Sequence, residues 1–186
     1  LNPSSAASDV YKRQHPQGQA ALETGDFFTT WANRFDSDMP PLHTHPVEGG
    51  DVFALGNGQV ECLALPGHSL DGMGYWIPEQ KMMIVGTLLP RADRPTRWDL
   101  PGGCLPDVLE SLKRVRSLNS KSLIPLQGPA IKGAKHVRKV LTQHIEFFEV
   151  CLLNDGKVSK SMPKPAQTAL WYTPHPPWPL KEIESV

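Results

Sequence analysis

Hydrophobic and polar positions alternate most clearly from Gln59 to Leu65, with Val60, Cys62 and Ala64 on one side and Glu61, Leu63 and Leu65 on the other. That period of two is the pattern of a strand. The strand stops at Pro66-Gly67 and presents His68 at the stop, the usual way a sheet delivers one side chain to a site. Asp51 to Leu55 precedes it across Gly56-Asn57-Gly58, a hairpin signal. Met73–Ile77 and Lys81–Val85 make a second hairpin about Pro78-Glu79-Gln80. The run Met82 to Val85 is continuously apolar, as expected of a strand buried on both faces. Ser122 to Pro125 reads as a further short strand.

The period changes to that of a helix over Leu105 to Leu118, where Val108, Leu109, Leu112 and Val115 form one stripe. Pro106 sits in its first turn, Asp107 near its positive end, and Lys113, Arg114 and Arg116 toward the other. A second helix is predicted from Ala134 to Leu153, with Val137, Leu141, His144, Phe148 and Cys151 on one face and a stop near Asn154-Asp155-Gly156. A short helix follows His15-Pro16, and Phe27, Phe28, Trp31 and Phe35 lie at near-helical spacing suited to packing. Asp36–Gly50 and Arg91–Gly103 read as loops.

Length and charge narrow the classes. The 186 residues suit one sizeable core, and 19 basic residues balance 19 acidic ones. Neither a nucleic-acid partner nor an anionic membrane surface is expected. No apolar run is long enough to span a bilayer. Cys62, Cys104 and Cys151 are odd in number and far apart, which excludes a disulfide framework or thiolate cage and suits small buried residues in a reducing cytoplasm. Ser4 to Gln14 resembles the in-frame translation of a transposase adapter, so residues 1–14 are set aside as an artefactual leader. The expected organisation is then a domain over residues 15–153 and a Pro-rich tail over 154–186, extended or packed on the surface, with the natural protein beginning upstream of His15.

The order of strand, Leu65-Pro66-Gly67-His68-Ser69, strand hairpin, long loop, amphipathic helix, Leu123-Ile124-Pro125-Leu126-Gln127-Gly128-Pro129 and helix resembles the second half of the metallo-β-lactamase superfamily. The likeness covers roughly Val47 to Leu153. It implies an α/β chain forming part of an αββα sandwich. It also implies one or two metal ions held by an H-x-H-x-D-H loop, a P-G-H turn, a G-D after a buried strand and a late histidine turn. Imidazoles and carboxylates suit zinc, and a zinc-bound water that ionises near neutral pH can attack an ester, thioester, lactam or phosphoester.

Position by position, the resemblance carries His68 over as a metal ligand. Thr87, after Gly86, stands where the family has its aspartate, so that either Thr87 replaces the carboxylate or one residue has been lost there, and Gln127 stands in place of its last histidine. Both are poor zinc ligands. His43 and His45 imitate the first loop, but Val47 and Glu48 stand where Asp and His belong; the plain reading is a solvated loop. Gly67-His68-Ser69-Leu70-Asp71 resembles a nucleophile elbow with Ser69 exposed, yet a strand rather than a helix follows. His136 and His144, eight apart on one helix, need no metal to explain them. Trp171, Tyr172 and Trp178 suit packing, and Arg91, Arg94 and Arg97 suit either an anionic substrate or solvent. The expectation is a fragment or divergent member of the metal-dependent hydrolases acting on a small-molecule substrate. Zinc belongs to the intact parent and is not held stoichiometrically by this chain, which is inactive. The alternative is a non-catalytic binding module of the same fold.

Overall fold

The computed structural model of the chain describes residues 12–26, 40–99 and 102–156. It divides into two compact units, residues 1–48 and 49–186. The aromatic residues at 27, 28, 31 and 35 and the tail with Trp171, Tyr172 and Trp178 lie outside the described residues.

In the first unit, helix α1 (Pro16–Thr24) begins on its proline, and His15 Nδ1 caps it by accepting the Gln17 amide at 3.2 Å. Gly25, at φ 64°, closes it. Strand β1 (Arg13–Gln14) pairs in parallel with β2 (His45–Pro46). This ladder runs through residues set aside as a leader and through a segment read as loop. Two residues are too few to show an alternation, so only the backbone pairing reveals it: the amides of His45 and Val47 donate to the carbonyls of Lys12 and Gln14.

The second unit is built on one six-stranded sheet. Its strands are β3 (Val52–Leu55), β4 (Gly58–Ala64), β5 (Met73–Ile77), β6 (Met82–Gly86), β7 (Ser122–Pro125) and β8 (Ile131–Lys132), lying side by side in chain order. Both hairpins form as the turn residues predict, the second through a single 3₁₀ turn at Pro78–Gln80. The β6–β7 pair is parallel, and the crossover carries helix α2 (Leu105–Ser117). Helix α3 (Ala134–Leu153) follows β8.

The core forms where both helices meet one face of the sheet. Val108, Leu109, Leu112 and Val115 of α2 and Val137, Leu141, Phe148 and Cys151 of α3 cluster with Leu63, Met83, Val85, Leu123 and Ile131. The register pairs Leu63 with Gly74 across β4 and β5, and sets Met83, Leu123 and Ile131 in line across β6, β7 and β8. β6 alternates more than its unbroken apolar sequence suggests: Met83 and Val85 are fully buried, whereas Met82 and Ile84 are half-buried. Only one side of this strand meets the helices.

The loop expected from Arg91, together with the residues from Thr87 that lead into it, departs furthest from a solvated segment. Leu88, Leu89, Arg94, Thr96 and Arg97 are all buried. Charge is neutralised locally, with Arg91 gripping Asp93 at 2.8 and 2.9 Å and Arg97 gripping Asp99 at 2.8 and 2.5 Å, both through two nitrogens. Helix α3 holds the segment down. His144 Nε2 donates to the Ala92 carbonyl at 2.9 Å, and Trp98 meets Phe148 edge-on with centroids 5.5 Å apart.

Candidate functional site

The turn Pro66-Gly67-His68 is fixed by backbone contacts before any side chain is considered. The Leu65 amide donates to the Gly72 carbonyl at 2.8 Å, closing the loop between β4 and β5. The Cys104 amide donates to the Gly67 carbonyl at 2.8 Å, and Ser111 Oγ to the Pro66 carbonyl at 2.7 Å. The turn therefore lies against the first turns of α2. Gly67 has φ 134°, and a Cβ there would sit 2.5 Å from the Val108 nitrogen. Only glycine permits that approach.

His68 is held by its Nδ1. That atom lies 3.1 Å from the Arg97 carbonyl and 3.3 Å from Thr96 Oγ1. The Thr96 hydroxyl donates its one proton to the Thr87 carbonyl at 2.7 Å. Its oxygen therefore accepts, and so does the Arg97 carbonyl. These roles assign the proton to Nδ1 and leave Nε2 as a lone-pair donor, the arrangement in which a backbone carbonyl orients an imidazole for a ligand. Burial pushes the His68 pKa down, partly opposed by the bond to the Arg97 carbonyl, so the ring favours its neutral form.

Thr96, only 1% exposed, thus joins His68 to Thr87. Nothing in its sequence neighbourhood marks it, because its partners lie 28 and 9 positions away. Thr87 takes part through its backbone, and its side chain would offer a metal only a neutral hydroxyl. Gln127 is exposed on the turn after β7, where its amide donates to the Pro90 carbonyl at 2.9 Å. The late turn is therefore docked on the segment that begins at Thr87.

The other candidates each have surroundings of their own. His43, in the first unit, is exposed and lies 3.6 Å from Glu23, with its ring edge-on to His45 at 5.6 Å. Glu23 also accepts from Gln19 at 2.9 Å and from the Thr44 amide at 3.3 Å, and the Gln19 bond is the chief cause of its lowered pKa. Ser69 stands in a turn between two strands, without the helix that an elbow requires. His136 is exposed on α3, and His144 is buried. Arg94 and Arg97 are buried, so neither is a solvated loop charge.

Among the described residues, no group of three or more His, Cys, Asp or Glu side chains could hold a metal ion. One oriented imidazole with two neutral oxygen side chains is a poor set for a transition metal, which takes three or four protein ligands of imidazole, carboxylate or thiolate type. By themselves the described residues do not fit a metal centre.

The fold and the His68 turn can now be set beside known proteins. No family model matches the chain. The Beta-lactamase-like protein 2 homolog of Caenorhabditis elegans is 24% identical over 134 residues, 64% of this chain and 44% of that protein. Hydroxyacylglutathione hydrolase of Brucella ovis is 37% identical over 43 residues, 23% of this chain and 17% of that one. The crystal structure of metallo-beta-lactamase family protein TTHA1429 from Thermus thermophilus superposes with a TM-score of 0.62 at 16% identity, covering 78% of this chain and 55% of that chain. TTHA1623 in a di-iron-bound form superposes with a TM-score of 0.54 at 30% identity, covering 68% and 61%.

The chain is a metallo-β-lactamase-fold protein, an α/β chain carrying part of the αββα sandwich. Its curated relatives include a beta-lactamase-like protein and a hydroxyacylglutathione hydrolase. The chain spans less than half the length of the curated relatives it matches. Among the described residues no helix is long and apolar enough to cross a membrane.

Proposed function

We propose that this chain supplies one oriented ligand, His68, to the site of a metal-dependent hydrolase, and that the chain as given does not complete that site. The observation that carries the reading is the bonding of His68: Nδ1 engaged by the Arg97 carbonyl and Thr96, Nε2 left as a lone pair. A metal held there by a full ligand set would polarise an ester, thioester, lactam or phosphoester of a small-molecule substrate. This chain's own part is to hold the His68 ring neutral and fixed, through a turn clamped on α2 and a buried loop clamped on α3.

Zinc is the metal the sequence resemblance suggests, while one structural neighbour was solved in a di-iron-bound form. Imidazole suits both, so His68 does not choose between them. Cys62, Cys104 and Cys151 form no disulfide among the described residues, which suits a reducing cytoplasm. The purified chain should carry metal well below one equivalent and show no thioester or ester turnover. Stoichiometric metal together with turnover would contradict the proposal.

A second reading, a non-catalytic member that uses the fold as a binding module, is favoured by Thr87 and Gln127, neutral side chains at two positions where the resemblance expects ligands. The full coding sequence of the natural protein distinguishes the two. An intact H-x-H-x-D-H loop there supports the hydrolase, and a degraded one supports the module.

A further inference from the structure

The end of α2 and the start of α3 enclose a cleft whose chemistry is unlike that of the His68 turn at the other end of α2. A cavity of about 50 Å³ is lined by Arg116, Asn119, Ser120, Ala134, Val137 and Arg138, with Leu141 at its base. A water needs roughly 10–15 Å³ on this measure, so the cavity holds a few waters or one small oxyanion. Beside it runs an open groove of about 350 Å³, which shares Arg116, Asn119 and Arg138 and adds Lys113, Ser117 and Thr142. Neither wall contains a carboxylate.

Three observations point to an anion. First, Ser120 is 2% exposed, and its hydroxyl has no hydrogen-bond partner among the described residues although it lines the cavity. A buried hydroxyl left without a partner is costly, and a ligand oxygen in this cavity would satisfy it. Second, α3 is 20 residues long, its N-cap Gly133 provides no side-chain cap, and its first turn contains no acidic residue. The amides of such a turn need acceptors. Its residues Ala134 and Val137 form part of the cavity wall.

Third, α3 carries cations near its N-terminus, where the helix field opposes them. Arg116, in the last turn of α2, suits that helix end, but Lys135, Arg138 and Lys139 cluster at the positive end of α3. Arg138 is aimed by a 2.9 Å bond to Asn119 Oδ1 and not by an acid. Arg116 makes no ion pair among the described residues, whereas Lys113 is shared between Glu110 and Glu149, each at 3.5 Å.

We propose that this cleft is a phosphate-binding site, in which Arg116 and Arg138 flank a phosphate group seated on the first turn of α3 and against Ser120, with any ester substituent lying in the adjoining groove. The cleft takes the phosphate free or as a monoester, and two probes separate these. Amide-resolved NMR titrations of the full chain with inorganic phosphate and with phenyl phosphate should give saturable shifts centred on Ser120 and on Ala134 to Arg138. Tighter binding of phenyl phosphate assigns the site to a monoester, and equal binding to phosphate itself.

Arg138→Gln should weaken binding about tenfold or more. Ser120→Ala should weaken it several-fold, with unchanged thermal melts confirming that both variants fold. Added chloride should weaken it further, as for any partly exposed charge contact. Absence of saturable shifts with both probes would overturn the proposal. So would shifts that persist unaltered in the Arg116→Gln, Arg138→Gln double variant.

Discussion

Two turns, one after β4 and one after β7, are built in opposite ways. The Pro66-Gly67-His68 turn is packed against α2 so closely that a Cβ at Gly67 would strike the Val108 backbone, and its histidine is held from two directions. The Gln127-Gly128-Pro129 turn is exposed along its length and is tied by backbone amides of Leu126 and Gln127 to Leu89 and Pro90. The first turn keeps the tight geometry that a ligand-bearing imidazole needs, and it also keeps the imidazole. The second holds its place in the fold, but its side chain is neutral and open to solvent. Both turns are held in place by the fold, and of their two side chains only the imidazole is of a type that suits a transition metal.

The contrast can be broken by substitution. Gly67→Ala should have the largest effect, destabilising the chain by roughly 2–5 kcal/mol through backbone strain and the clash with Val108, measured by urea denaturation. A cost near zero would mean that the turn is not clamped. The burial of His144 comes next. Burial pushes its pKa below the usual 6.5, so the unfolded chain binds a proton that the folded chain refuses. Its contribution is complete above the unfolded value of about 6.5 and is lost as pH falls below it. His144→Gln should therefore flatten the decline of stability on acidification, and an unchanged slope would show that His144 is not the titrating group.

Thr96→Val, which removes the hydroxyl between His68 and the Thr87 carbonyl, should cost about 1–3 kcal/mol. Gln127→Ala should cost less than about 0.5 kcal/mol, as expected of an exposed side chain. Equal effects at Thr96 and Gln127 would erase the distinction between the two turns.

Some of this architecture is legible in the sequence and some is not, for physical reasons. The stripes of α2 and α3 and the alternation of β4 are local periodicities, so they can be read directly, as can His68 at the abrupt stop of β4. β8 cannot, because Ile131–Lys132 is too short to show a period and forms only by pairing with β7. The burial of Arg94 and Arg97 escapes notice because a run of charges reads as solvated unless its partners are known. Asp99 neutralises Arg97 two residues on, and α3 covers the segment from more than 40 positions away. Thr96 is invisible for the same reason. Its function lies in two bonds to distant atoms.

On the proposed reading, His68 is one neutral, oriented ligand in a chain whose described residues do not otherwise form a metal site. A long-range ¹H–¹⁵N spectrum of its imidazole tests this directly, before and after addition of one equivalent of zinc. The account predicts a protonated Nδ1 and a bare Nε2 in the free chain, and a spectrum that one equivalent of zinc leaves largely unchanged. A proton on Nε2, or a stoichiometric shift of that nitrogen on adding zinc, would contradict it.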